Sequence, residues 1–320
     1  MKAGVSSPKG LELRDIPQPV PKPNEVLVRV KACGLNRADL SAARAAYGHG
    51  VMGVPVGLEW AGEVVSAGVD AKNFKPGDRV VCSGSGGYAE YAVSDYGRTV
   101  PLPQGLSFEQ AAVLPVALHT LHNALITQGR LKAGESVLIQ GASSGVGLMG
   151  LQIARMKGAK PVIGSATNDA RRARLKEFGA DLAIDTRDEK WPEQVLEATG
   201  GKGVNLTVDM VSGPTVNQTM RATSVLGRIV NVGRLGGVKA EFDFDLHAMK
   251  RIDYIGVTFR TRSLEEVREI VRLMRADLWN AVTAGKLKLP IDRTFPLDEC
   301  VAAQAHMRAN QHFGKIALVM

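Results

Sequence analysis

Apolar and polar positions fall into two textures along this chain. In the first hundred residues the apolar runs are short and bounded by turn residues, at 26–30, 63–68 and 79–82, with the turn Lys75-Pro76-Gly77-Asp78 before the last. Runs of that length and setting predict strands. Pro17, Pro19, Pro21 and Pro23 keep the segment between them extended, because proline fixes φ and restricts the residue before it. Residues 1–13 are polar and mixed. A helix is expected over 107–127, with Ser107 as its cap and Glu109 in its first turn. From residue 136 the period changes, and strands at 136–140, 161–164, 182–184, 204–209, 227–232 and 252–258 alternate with helical segments to 157, at 168–178, 190–199 and 214–222. Six strands linked in this way predict an α/β fold with a doubly wound parallel sheet and right-handed crossovers. A long amphipathic helix over 263–284 and a last strand at 316–319 follow, the strand returning to the β-rich first part.

The junction of the first strand and helix of that alternation is the most informative local feature. Val137 to Ile139 are apolar, Gly141, Ala142, Ser143, Ser144, Gly145, Val146 and Gly147 are small, and a helix-like segment follows. Small residues let the backbone turn tightly and approach a pyrophosphate, and the helix aims unpaired N–H groups and its positive dipole end at that anion. In a strict G-x-G-x-x-G register ending at Gly147, the first two positions are Ala142 and Ser144. The pattern therefore fits either a nucleotide loop or an ordinary strand-to-helix turn. The second strand ends at Gly164-Ser165 without the acid that would accept hydrogen bonds from a ribose 2′-hydroxyl. Ser165, Arg171 and Arg172 stand there instead, and a guanidinium fork suits a 2′-phosphate. This predicts NADPH rather than NADH; as a solvated helix face, the arginines would carry no such meaning. Val211 and Gly233 follow two later strands as cofactor contacts or simple turn formers. Phe259 and Arg260 end the sixth strand, where they would flank a nicotinamide.

Composition narrows the classes. No apolar run approaches the roughly 18–20 residues of a membrane span, and 1–13 lack the apolar core of a secretory signal. Cys33, Cys82 and Cys300 are odd in number and far apart, which predicts neither a disulfide framework nor a zinc ribbon but a reduced, cytoplasmic protein. The net charge of +8 is dispersed without aromatic interleaving, so nucleic acid is an unlikely partner and solubility or steering of an anionic cofactor explains it.

Several motifs together carry a family resemblance: Ala32-Cys33-Gly34-Leu35-Asn36-Arg37-Ala38-Asp39-Leu40, then Gly57-Leu58-Glu59-Trp60-Ala61-Gly62-Glu63-Val64, Lys75 to Val80, the dinucleotide-type loop and Gly314-Lys315. The chain resembles, over essentially its whole length, the medium-chain dehydrogenase/reductase superfamily in its zinc-independent, zeta-crystallin-like quinone-oxidoreductase branch. The resemblance implies a GroES-like catalytic domain from both chain ends (1–122 and 264–320), a central Rossmann domain (123–263), NADPH in the cleft between them and a homodimer. It implies that Asn36 and Tyr47 line the nicotinamide and substrate, that Thr120 sits beside the carboxamide, that Arg171 meets the 2′-phosphate and that Lys315 reaches the cofactor. Thr186 stands where relatives often have a tyrosine, Ser144 replaces a usual glycine, and Trp60 follows Glu59 where a small residue is usual, narrowing or bracing the cleft. Where zinc-dependent relatives place three ligands, this sequence has Asn36, Leu58 and Val116, none of which ligates zinc well. No metal is expected, and His119 and His122 read as packed or capped side chains.

The expected chemistry is hydride transfer from NADPH to a quinone, with Tyr47 or Asn36 donating to the oxygen that gains charge. Tyr47 is alternatively a packing residue, in a loop expected to be mobile. Three other readings remain: reduction of α,β-unsaturated carbonyls at the same site, a non-enzymatic NADPH-binding or RNA-binding protein, and a zinc alcohol dehydrogenase.

Overall fold

The structure is a computed structural model that describes residues 1–44 and 52–320, and it divides into two units, Met1–Val116 with Ser263–Met320, and Ala117–Arg262.

The first unit opens on an antiparallel hairpin, β1 (Lys2–Ser7) and β2 (Gly10–Asp15), turning at Gly10 with φ +116°. The pattern of residues 1–13 does not announce it. Residues 3–7 of β1 are small, and all are buried, so neither alternation nor a strong apolar run betrays the strand. Among the described residues a seven-stranded sheet follows in the order β14 (Ile291–Pro296), β15 (Lys315–Val319), β3 (Glu25–Gly34), β4 (Glu59–Ala67), β5 (Arg79–Ser83) and β7 (Thr99–Pro101), with β6 (Tyr91–Asp95) also on β3. The last strand returns as expected: β15 runs antiparallel to β3, with Ala317 opposite Gly34. Val28, Val30, Val80, Phe295, Ile316 and Leu318 form the core with Trp60. Trp60 is fully buried, and a Cβ at Gly84 or Gly87 would stand 2.8 Å from its ring. It belongs to the core, where its ring packs β4 against Gly84 and Gly87.

The helix expected over 107–127 is interrupted. A capping box of Ser107 and Gln110 starts the helix Phe108–Ala112, which stops before Pro115, because proline cannot donate to a continuing helix. A new helix, Pro115–Leu121, passes into a π-helical stretch, His122–Gln128. The amphipathic helix Leu264–Thr283 carries a second capping box, Ser263 with Glu266, and buries Val267, Ile270, Val271, Met274, Leu278 and Val282. That spacing is one face of an α-helix.

The second unit is a parallel sheet in the order β10 (Leu182–Ile184), β9 (Val162–Ser165), β8 (Val137–Gln140), β11 (Val204–Asp209), β12 (Thr223–Asn231), β13 (Asp253–Gly256). The doubly wound expectation holds, and the order reverses between β8 and β11, which puts the switch point at the carboxyl end of β8. All four residues of β8 are buried, as in a strand covered on both faces. The boundaries differ locally. The helix expected over 168–178 is Asp169–Ala173 followed by a 3-10 turn, Leu175–Phe178, and β12 begins earlier than 227. The edge strand β13 ends at Gly256, so Phe259 and Arg260 lie in a turn beyond it. Among the described residues no helix is long and apolar enough to cross a membrane.

Candidate active site

In the second unit the loop after β8 is held by its neighbour strand. Gly141 takes φ +73°, its N–H donates to Ser165 Oγ at 3.1 Å, and the Ala142 N–H donates to the Ser165 carbonyl at 2.8 Å. Ser144, which departs from the glycine pattern, is the N-cap of the helix Gly145–Met156, its Oγ accepting from the Gly147 N–H at 3.1 Å. Serine is a good cap, so the departure supplies a partner for one amide of the first turn. The Gly145 and Val146 amides, the first two of the helix, have no acceptor within it. A Cβ at Gly147 would stand 2.5 Å from Ala142 Cα. The helix thus meets the loop at a distance only glycine permits, with amides and dipole directed at the loop. That cradle fits the pyrophosphate of a dinucleotide.

Ser165 is buried, and no carboxylate occurs at residues 162–168. Arg171 is half-buried in the short helix beyond β9. Arg172 is committed elsewhere: its guanidinium bonds the Ala166 carbonyl at 3.0 Å, Asp185 at 3.1 Å and Asp169 at 3.0 Å.

Asp209, which the sequence reading passed over, organises the ends of β11 and β12. Its buried carboxylate accepts from the N–H groups of Val211 at 2.8 Å and Ser212 at 2.9 Å, and its carbonyl takes the Gly233 N–H at 3.1 Å. Burial raises the Asp209 carboxyl above its ordinary value. Ser212 has φ +56°, unusual for a residue with a Cβ, and its hydroxyl donates to the Gly233 carbonyl at 2.8 Å. The two turns that carry Val211 and Gly233 are thereby tied together. Thr120 is half-buried, and His119 and His122 are buried. A cavity of about 650 Å³ lies elsewhere in this unit, lined by Ser136, Lys160, Lys202, Asn205 and Ser224 among others, and holds none of the sequence-predicted residues.

The first unit carries a buried polar cluster. Lys315 Nζ donates to the Leu35 carbonyl at 2.8 Å, to Asn36 Oδ1 at 2.8 Å and to Glu59 Oε1 at 2.6 Å. Asn36 Nδ2 donates to Glu59 Oε1 at 2.9 Å, and the Val116 N–H donates to Glu59 Oε2 at 2.8 Å. An ammonium has three hydrogens, and all three have protein acceptors. For Lys315 to reach a cofactor it would have to release one of them. Beside this cluster Asp39, fully buried, accepts through Oδ2 from the Asn36 N–H at 2.8 Å and the Tyr88 hydroxyl at 2.9 Å, while Oδ1 has no partner. Burial pushes the Asp39 carboxyl up to about 7 and the Tyr88 hydroxyl well above its ordinary value. Glu59, Asp39 and Tyr88 were not marked as site residues from the sequence. Glu59 and Asp39 lie inside the quoted motifs, but their connection to residue 315 is invisible in one dimension. Tyr47 lies outside the described residues.

Comparison with known proteins places these features. The family model for the alcohol dehydrogenase GroES-like domain matches residues 22–104, and that for zinc-binding dehydrogenase matches 145–276. A quinone oxidoreductase of Rattus norvegicus is 32% identical over 320 residues, covering 98% of this chain and 94% of the relative. This chain belongs to the medium-chain dehydrogenase/reductase superfamily, in its quinone-oxidoreductase branch. Two solved structures share the fold. The Pseudomonas syringae pv. Tomato DC3000 quinone oxidoreductase has a TM-score of 0.90 at 28% identity and covers 100% of both chains. The Escherichia coli quinone oxidoreductase, solved in complex with NADPH, has a TM-score of 0.89 at 25% identity, covering 100% of this chain and 99% of its own.

The second family description implies a zinc, and the donors do not fit one. Asn36 and the Val116 backbone converge on Glu59, and the cation seated among them is the Lys315 ammonium, with no thiolate or imidazole of the described residues bonded there. Among the described residues no group of three His, Cys, Asp or Glu side chains could hold a metal.

Proposed function

We propose that this oxidoreductase reduces quinones by hydride transfer from NADPH without using a metal. The observation that carries the reading is the end of β9, where Ser165 fastens the glycine-rich loop and no carboxylate competes with a 2′-phosphate. The NADPH complex of the Escherichia coli relative and the quinone oxidoreductases among the sequence relatives support it.

In this reading the loop Gly141, Ala142, Ser143, Ser144, Gly145, Val146 and Gly147 cradles the pyrophosphate, with the amides of Ser143, Gly145 and Val146 as its donors, and Ser165 and Arg171 receive the 2′-phosphate. Thr120, Val211, Gly233, Phe259 and Arg260 orient the nicotinamide, which supplies the hydride when bound. Asn36 donates through Nδ2 to the quinone oxygen as charge develops on it, with Tyr47 as a second donor. Lys315 contributes through Asn36. The exposed edge of β13 and the exposed side chains of Leu235, Val238, Phe244, Met249 and Tyr254 in the same unit support a homodimer formed there. Light scattering of the purified protein tests it.

The activity test is cofactor oxidation with NADPH and NADH against an ortho-quinone, a para-quinone and an enone. Preferential turnover of a quinone with NADPH supports the reading, and preference for the enone transfers the same site to unsaturated carbonyls. NADPH binding without reduction of any acceptor overturns it in favour of a non-enzymatic role. Tyr47→Phe with unchanged quinone turnover removes that side chain from the mechanism.

A further inference from the structure

We infer that Glu59 and Lys315 form a buried ion pair that locks the Asn36 amide in one orientation and leaves one Nδ2–H of Asn36 as a fixed donor. The use of that donor on a quinone oxygen rests on the reading given above.

The orientation follows from hydrogen-bond chemistry. The two ends of an asparagine amide have nearly the same shape but opposite roles. An ammonium only donates, so the atom 2.8 Å from Lys315 Nζ is the carbonyl oxygen. A carboxylate only accepts, so the atom 2.9 Å from Glu59 Oε1 is the nitrogen. Flipping the amide would set N–H against N–H on one side and oxygen against oxygen on the other. The pair itself cannot turn to follow a flip. The Leu35 carbonyl holds the third ammonium hydrogen, and the Val116 N–H holds the second carboxylate oxygen. The backbone also makes room for the carboxylate, because a Cβ at Gly34 would collide with Glu59 Oε1 and stand 2.8 Å from the Ala112 carbonyl oxygen.

Stability does not by itself account for this arrangement. Lys315 is 4% and Glu59 0% exposed in their side chains, and a pair so buried gains little over apolar side chains of the same volume. What it supplies is direction. One Nδ2 hydrogen is taken by Glu59, which leaves the second for another acceptor, and Asn36 keeps 7% of its surface exposed. Glu59 and Lys315 are positioning residues that act through Asn36.

The test compares wild type, Asn36→Ala, the electroneutral double variant Glu59→Gln/Lys315→Met, and the variant that combines all three changes. With saturating NADPH, Asn36→Ala and the double variant should each lower quinone kcat by about a hundredfold, the scale of one lost oxyanion donor. The combined variant should fall no further, and the NADPH Kd should stay within about twofold throughout. Losses that multiply in the combined variant show that the pair acts independently of Asn36 and overturn the inference, as does an unchanged kcat in the double variant. A second measurement needs neither variants nor turnover. In heteronuclear NMR of the wild type, the Asn36 Nδ2 proton held by Glu59 should exchange with solvent markedly more slowly than the protons of an exposed asparagine amide. Exchange of both Nδ2 protons at the rate of a free primary amide overturns the locking. If wild type reduces no quinone but shows the locked amide, the functional reading fails and the locking stands.

Discussion

In the second unit, the loop after β8 presents backbone amides from one contiguous stretch, residues 141–147, with Ser144 and Ser165 as their side-chain partners among the described residues. In the first unit polar chemistry is carried by side chains from residues 36, 39, 59, 88 and 315, closed around two buried carboxylates. The loop draws on small residues, dipole and close approach, so its tolerances are steric. The cluster draws on charge balance away from water, so its tolerances are electrostatic. Each mode of construction fails in its own way, and that difference can be measured.

The largest effect is expected on the electrostatic side. Lys315→Met removes one partner of a buried pair and strands Glu59, which should cost about 3–5 kcal/mol of unfolding free energy. A loss under about 1 kcal/mol would mean that the cluster is not closed. Urea denaturation measures it.

Asp39 comes next. Its carboxyl is pushed up to about 7 in the fold by burial, against an ordinary value of about 3.9 in the unfolded chain. As pH rises from about 4 to about 7 the unfolded chain gives up this proton first, so the group's contribution is present at low pH and is lost through that window. The change should be on the order of a few kcal/mol, and Asp39→Asn should remove this group's part of it. Thermal unfolding across that range checks the sign, and stability that rises equally with pH in both proteins contradicts it.

On the steric side, Gly147→Ala places a methyl 2.5 Å from Ala142 Cα. It should cost about 1–3 kcal/mol of stability and weaken NADPH binding with it. Unchanged cofactor affinity by titration calorimetry would separate the loop from the cofactor. The smallest effect is at Ser144: removing the cap as Ser144→Ala should cost about 1 kcal/mol, and Ser144→Gly only a few tenths.

The same contrast explains what the sequence disclosed. The parallel sheet was legible because its strands are apolar runs separated by helices, and β8 with its loop is a local pattern of small residues after an apolar strand. The hairpin at 2–15 was hidden because Ala3, Gly4 and Ser6 are buried without being large or strongly apolar. The break before Pro115 was legible in principle, but the periodic apolar positions on both sides masked it. Asn36 and Lys315 were reached only through family resemblance. That Lys315 ends on Asn36 depends on β15 returning beside β3, a pairing across nearly the whole chain. Asp209 passed unnoticed because a single acid at a strand end looks like an ordinary turn former. Arg172 reads with Arg171 as a phosphate ligand, and its hold on Asp169 and Asp185 is a tertiary contact that sequence alone does not show.

The most direct test of the central claim is steady-state reduction of a quinone by the purified protein, with NADPH and NADH compared, in the presence and absence of a strong chelator. The account predicts turnover that the chelator leaves unchanged, with NADPH favoured in kcat/KM by at least about tenfold. It also predicts that Arg171→Ala erases most of that preference, since a charge-assisted contact contributes roughly 1.5–3 kcal/mol. Equal use of NADH, or activity that disappears with the chelator and returns with zinc, would contradict it.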